Sequence, residues 1–273
     1  MRNNLNSSKF AKIRCNDHRK RILEISQKVT AMHAAGAFSA LEMVDTIYYR
    51  LMKKNSKNKF QDTFLMSKGH GCMSQYVVLE SLKILPRHYL DNYCTKNGKL
   101  GCHPDYGLPG IEASTGSLGH GMALATGMAH ADVIKKKNRK IFVIISDGEL
   151  QEGSTWESIM MAANLELKNL ICFIDHNGSQ SFGITKQTHP LFYPIREKIM
   201  SFGWECLEID GHNISEISKI FKRRKTKKPL MIIGNTIKGK GVTFMENKPI
   251  WHYRSPNSEE YKIAINELTQ VYS

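Results

Sequence analysis

Three six-residue runs, IFVIIS at 141–146, LICFID at 170–175 and LMIIGN at 230–235, have almost uninterrupted apolar interiors. A strand with one face in water alternates apolar and polar residues, whereas an unbroken run has both faces covered. Such strands belong to a parallel sheet clad by helices on each side. TFLMS at 63–67 and WECLEI at 204–209 read as two further strands. Helical spacing marks 17–32 and 39–53, the latter through Leu41, Val44, Ile47, Tyr48 and Leu51. Helices are also expected near 72–84, 118–135, 154–166 and 213–224, and a helix-like stretch, NSEEYKIAINELTQVY, comes last. Residues 86–113, rich in Gly, Pro, Asn and Asp, read as a long functional loop. The expectation is one domain over 1–273, α/β and doubly wound, with its ligand beyond the carboxyl ends of the strands.

Bulk properties narrow the class. The balance of 41% apolar and 23% charged residues is that of an ordinary globular chain. The start, MRNNLNSSKFAKIRC, is polar and basic, and no stretch approaches the roughly 18 apolar residues of a membrane span. No secretory signal and no membrane contact are expected. The six cysteines form no CxxC pair, so they read as reduced thiols of a cytoplasmic protein rather than zinc ligands. The formal net charge of +14 is concentrated in HRKR at 18–21, KKNSKNK at 53–59, KKKNRK at 135–140 and KRRKTKK at 222–228. None of these runs is interleaved with stacking aromatics, so they read as solvated helix ends and not as a nucleic-acid footprint. A positive field of this size could draw in anionic sugars or an acidic partner.

The chemistry concentrates in SDGELQEGSTWESIMMAANLELKNLICFIDHNGS, residues 146–179. Asp147 follows one buried strand directly, and Asn177 follows the next by two residues. A crossover helix between them makes a βαβ unit, so both strand ends share one edge of the sheet. Neighbouring strands would bring their tips to about 4.8 Å. One carboxylate, one amide oxygen and the carbonyl of Ser179 then form a hard-oxygen set. Room remains for phosphate oxygens and water, the coordination that Mg²⁺ prefers. Asp147-Gly148 and Asn177-Gly178 are each common turn signals when taken singly; it is their joint position at two consecutive strand ends that points to a metal. Upstream, ASTGSLGHGMALATGMA at 113–129 places Gly116, Gly119 and Gly121 at a helix start rich in small residues, which suits a diphosphate. GNTIKGKG at 234–241 approaches a P-loop but ends in Gly where Ser or Thr is needed. Four histidines, His33, His70, His103 and His252, lie in loops; singly such residues face solvent, but together they could serve a hydroxylated substrate beside a diphosphate.

Six motifs taken in order, HAAGAFSALEMV, MSKGH, GCHPDYG, PGIEASTGSLGHG, SDGELQEG with DHNGS, and NTIKGKGV with WH, resemble the transketolase family over nearly the whole chain. The likeness is greatest to the N-terminal, diphosphate-binding subunit of split transketolases. It implies thiamine diphosphate as cofactor, with Mg²⁺ (or Ca²⁺ or Mn²⁺) held by Asp147, Asn177 and the Ser179 carbonyl. It implies that Gly116, Ser117, Leu118, Gly148 and Asn177 line the cofactor, and that His70, Lys238 and His252 contact its phosphate end or reacting centre. His33 and His103 would face ketose hydroxyls, and Glu152 matches an acid linking the two cofactor sites of a dimer. The implied reaction moves a two-carbon ketol unit from a ketose to an aldose. In that family an activating glutamate lies in the next domain. A C-terminal partner subunit carrying the pyrimidine-binding domain, in an α₂β₂ assembly, is therefore expected. Departures cluster where the family meets substrate: Met32, Ala34-Ala35, His120, Ser146 and Tyr253. They suggest a non-standard donor or acceptor in specialised sugar metabolism. A thiamine-dependent 2-keto-acid decarboxylase or dehydrogenase subunit is the alternative enzyme, and a non-catalytic cofactor-binding subunit the alternative class.

Overall fold

The three apolar runs become the centre of the molecule. The computed structural model describes residues 7–181 and 183–270. Strands β1 (Thr63–Met66), β2 (Ile141–Ser146), β3 (Leu170–His176), β6 (Glu205–Asp210) and β7 (Leu230–Asn235) form one sheet in the order β1-β2-β3-β7-β6. Every pairing in it is parallel. The short strands β4 (Ser179–Gln180) and β5 (Gly183–Ile184) make a separate antiparallel hairpin. β2 is buried throughout and β3 up to its last residue, the condition that an unbroken apolar run requires. β6 lies at the sheet edge, and its Glu208 and Asp210 are exposed.

Alternate side chains along each strand serve opposite faces. Phe142, Ile144, Ile171, Phe173, Leu230 and Ile232 pack against helices α1 (Ser8–Ser26), α2 (Ala34–Thr46) and α3 (Cys72–Ser81). Val143, Ile145, Cys172, Ile174, Met231 and Ile233 pack against α4 (Gly121–Ile134), α5 (Gly153–Asn164) and α6 (Ile195–Ser201). The short α7 (Ile214–Ser218) and the final α8 (Ser258–Gln270) join the first layer. The doubly wound α/β reading is the observed fold. All of α2 is buried, and its small residues let it lie close to the sheet. At Gly234 of β7 a Cβ would stand 2.6 Å from the Met43 sulfur, so the bare backbone there sets how closely α2 approaches.

Boundaries moved in informative ways. The predicted helix at 39–53 begins at Ala34 and finishes in a π-helical turn over Ile47–Leu51, while the one at 17–32 starts earlier and stops at Ser26. The small-residue helix opens at Gly121, because the preceding glycines are held as a loop. The predicted helix at 213–224 splits at Lys219 into Ile214–Ser218 and Ile220–Arg223. The loop at 86–113 contains a short helix, Arg87–Asp91. Residues 1–6 of the basic N-terminal stretch, and Val271 and Tyr272 of the last helical stretch, lie outside the described residues. No described helix is long and apolar enough to cross a membrane.

Candidate active site

Strand pairing sets the first part of the site. β2 and β3 are neighbours, with Ser146 opposite Asp175, so the residues just beyond them meet at the carboxyl edge. Asp147 is fully buried. One carboxylate oxygen accepts the Gly148 amide at 2.8 Å and the other the Gly178 amide at 2.7 Å. Burial, reinforced by the nearby Asp175 carboxylate, pushes the Asp147 carboxyl up to about 6. A desolvated carboxylate without an ion-pair partner is a place that favours a cation. The Asn177 side-chain oxygen accepts the Ser179 amide at 3.0 Å, and Ser179 opens the β4–β5 hairpin. Among the described residues no three His, Cys, Asp or Glu side chains group to hold a metal. One carboxylate, one amide oxygen and a backbone carbonyl suit a hard divalent ion that keeps positions for phosphate and water. On that chemistry Asp147, Asn177 and Ser179 fit such an ion.

Beside this edge lies the glycine loop. Gly116 has φ +142°, and a Cβ there would press to 2.8 Å of the His103 ring. A Cβ at Gly69 would stand 2.7 Å from the Gly116 backbone, so the SKGH turn and the glycine loop touch backbone to backbone. The Thr115 hydroxyl donates to the Met66 carbonyl at 2.6 Å, fastening the loop to the end of β1. Ser117 is exposed and Leu118 half-buried, while Gly148 continues from Asp147 into a 3₁₀ turn. Glu152 is exposed next to this loop; its Cβ would stand 2.8 Å from a Cβ at Gly119, and its carboxylate bonds to none of the described residues.

The four loop histidines, far apart in sequence, meet. The His33 ring lies 5.6 Å from His70, 6.2 Å from His103 and 5.4 Å from His252, centroid to centroid. His70 and His252 are 6.0 Å apart, and Tyr253 stands 4.4 Å from His33. Burial, with His252 as the next cause, drives His33 down to about 3. Burial and then Lys68 hold His70 well below its ordinary value, and burial and then Lys238 bring His252 to about 4. These three rings are neutral at pH 7, able to donate from one nitrogen and accept at the other. Lys238 Nζ donates to His252 Nδ1 at 2.7 Å. Its own value is lowered to about 8, first by burial and then by Lys68.

Several participants escaped the sequence reading. Lys68, fully buried, pairs with Asp175 and donates to the Gly36 carbonyl at 2.9 Å. Asp175 also accepts from the Ser39 and Thr236 hydroxyls and, at 3.3 Å, from the Asn177 side-chain amide. Glu149 accepts the Gly119 amide at 3.0 Å and the Ser67 hydroxyl, and burial raises its carboxyl. Each sat inside a motif already singled out, SKGH, DHNGS or GELQEG, and was passed over beside a more conspicuous neighbour. His212, which lies in none of those motifs, accepts the Ile237 amide at Nε2 and donates from Nδ1 to Glu42 at 2.9 Å.

A doubly wound domain with a buried oxygen set, a glycine cradle and neutral histidines beside a lysine on one sheet edge is built to hold a phosphorylated cofactor against a polar substrate. The family model described as the transketolase thiamine diphosphate binding domain matches residues 12–265, and the chain belongs to the transketolase family. It is 36% identical over 258 residues to one subunit of the apulose-4-phosphate transketolase of Phocaeicola vulgatus, covering 93% of this chain and 92% of that one. It is 38% identical over 256 residues to one subunit of the 6-deoxy-6-sulfo-D-fructose transketolase of a Clostridium species, covering 92% and 93%. Human transketolase is 31% identical over 247 residues, which is 88% of this chain but 39% of that enzyme. The Campylobacter jejuni transketolase structure superposes with a TM-score of 0.88 at 26% identity, over 96% of this chain and 43% of that one. The chain thus spans about two fifths of that structure and nearly all of the two single-subunit relatives. Thiamine diphosphate is the cofactor of the domain, and transketolase-type ketol transfer is favoured over the 2-keto-acid alternative.

Proposed function

We propose that this chain is the metal- and diphosphate-binding half of a two-chain transketolase, active with a C-terminal partner that supplies the pyrimidine-binding domain and its glutamate. The observation that carries this reading is the convergence on one sheet edge of Asp147, Asn177, the Gly116 loop and Lys238 with its bonded His252. When bound, thiamine diphosphate would supply the nucleophilic carbon that transfer of a two-carbon ketol unit from ketose to aldose requires. Asp147, Asn177 and the Ser179 carbonyl hold Mg²⁺, or Ca²⁺ or Mn²⁺. Gly116, Ser117, Leu118 and Gly148 line the cofactor, with Asn177 shared between metal and cofactor. Lys238 offers an ammonium to the diphosphate, while His70 and His252, held neutral, exchange protons near the reacting centre. His33 and His103 orient sugar hydroxyls. Glu152, exposed beside the glycine loop, reaches toward a neighbouring site in an α₂β₂ assembly. The relatives that this chain matches over nearly their full length bear the names of subunits, which supports the need for a partner. Six unpaired cysteines suit a reducing cytoplasm.

The substrate is an anionic ketose outside the common pentose phosphates. Two relatives act, by name, on a phosphorylated and a sulfonated ketose. In this chain Tyr253 stands against His33, and Met32 and Ala34-Ala35, the departures from the family pattern, flank that histidine. Asp147→Ala tests the metal assignment. Magnesium-dependent binding of thiamine diphosphate, followed by calorimetry on the reconstituted pair, should disappear; an unchanged affinity would refute the assignment.

A further inference from the structure

The opposite, amino-terminal edge of the sheet carries a second concave site that the transfer reaction does not use. The turns leading into β2, β3 and β7 close around a cleft of about 570 Å³ lined by Lys136, Lys137, Lys140, Lys168, Arg224 and Lys227. Two basic runs distant in sequence, 135–140 and 222–228, meet there because β2 and β7 both flank β3. Three carboxylates accompany these cations: Asp132 lines the cleft, Asp62 acts on Lys140, and Glu205 acts on Arg224. Asp132 pairs with Arg139. Asp62 accepts the amides of Lys53 and Lys140, each at 2.8 Å. Glu205 accepts the amides of Lys225 and Thr226 at 2.5 and 2.7 Å, and the Thr226 hydroxyl at 2.6 Å. Arg224 is fixed in place by donating to the carbonyls of Lys168 and Thr226, each at 3.0 Å. Lys136, Lys137, Lys168 and Lys227 form no ion pair among the described residues. Burial lowers both Lys140 and Arg224; Asp62 and Glu205 oppose this in part, while Lys53 and Arg224 add to the lowering of Lys140. The excess of cations over carboxylates around one hollow creates a local field that favours a multivalent anion.

We infer that this cleft binds a compact polyphosphate, whether a nucleoside triphosphate or an inorganic chain of three or more phosphates. No aromatic side chain lines it, so unpaired bases would find nothing on which to stack, and a single-stranded nucleic acid is disfavoured. The site is independent of the assignment of the carboxyl-edge residues. The test titrates the full chain at fixed salt with inorganic tripolyphosphate, ATP and a short oligouridylate. It is repeated on Lys137→Glu/Lys227→Glu, and on Lys248→Glu/Lys262→Glu as a charge-matched control, with circular dichroism confirming the fold of each. Saturable tripolyphosphate binding, weakened at least tenfold by the cleft pair and less than threefold by the control pair, is expected. Equal binding of ATP identifies the phosphate chain alone as the ligand, and tighter ATP binding identifies the nucleotide. The proposal is overturned by absence of saturable binding, by binding indifferent to the cleft pair, or by oligouridylate binding tighter than tripolyphosphate through the same lysines.

Discussion

Lys238 shows how much a single residue's surroundings can decide. In the sequence it is one of 39 Lys and Arg residues and part of a motif that imitates a P-loop. In the fold it is 3% exposed, bonded to His252, and lowered to about 8. A lysine with a lowered value is charged below that value and neutral above it. Once Asp147 is ionised, above about pH 7, affinity for thiamine diphosphate should therefore hold to about 7.5 and fall as the pH rises through 8. Lys238→Arg should keep the affinity and remove the alkaline fall, because a guanidinium does not titrate there. Calorimetric titrations across that pH range decide the matter, and an alkaline limb that survives in the arginine variant would sink the idea. Gly116 makes the complementary case: at φ +142°, 2.8 Å from the His103 ring, even one methyl must strain the backbone or displace the histidine. Gly116→Ala should cost about 1–3 kcal/mol in urea unfolding, by the usual cost of a forced backbone conformation. It should also reduce transfer activity more than it reduces stability. Asp147 and Asn177 were legible in the sequence because each is fixed by a local signal, the end of a buried strand. Lys68 and Asp175 were not, because their pairing spans 107 positions and Asp175 reads locally as the last letter of an apolar run.

At the scale of elements, the loop carrying Lys238 is held from behind. The Ile237 amide donates to His212 Nε2 at 2.8 Å, which requires that nitrogen to be bare and the proton to sit on Nδ1, facing Glu42. Glu42 is in turn paired with buried Arg19 of α1. Gly239 adds a backbone bond to the Ala35 carbonyl at 3.0 Å, so the loop is tied to both α1 and α2. His212→Ala leaves the Ile237 amide without its acceptor. Stability should drop by about 1 kcal/mol, since a part-buried donor loses its partner. Hydrogen exchange at Ile237 should accelerate and cofactor affinity fall, although His212 touches no cofactor; unchanged exchange at that amide would refute the coupling. Strand positions were readable from apolar runs, since burial on both faces leaves a local mark. Helix ends were less so. Whether 118–120 continue a helix or stay a loop depends on the Glu149 carboxylate that captures the Gly119 amide, and periodicity carries no trace of that contact.

At the scale of the molecule, the two edges of the sheet have different characters. The carboxyl edge gathers buried carboxylates and neutral histidines; the amino edge gathers an excess of cations. Purified alone, the chain should transfer no two-carbon unit. Mixed with its C-terminal partner, thiamine diphosphate and Mg²⁺, it should do so, and faster with an anionic specialised ketose than with ordinary pentose phosphates. Coupled aldose-release assays measure both, and equal turnover of the two substrate classes would count against specialised substrates. By itself the sequence determined the layer order, the parallel sheet, the cofactor class and the placement of Asp147 and Asn177 at two neighbouring strand tips, because each is written in a short run, a motif or a strand end. The tertiary structure alone decided that four loop histidines meet in one cluster, that Asp175 and Glu149 lock the site, and that two remote basic runs share a cleft. Those outcomes depend on which strands are neighbours, and strand order is a long-range property that no local pattern of residues encodes.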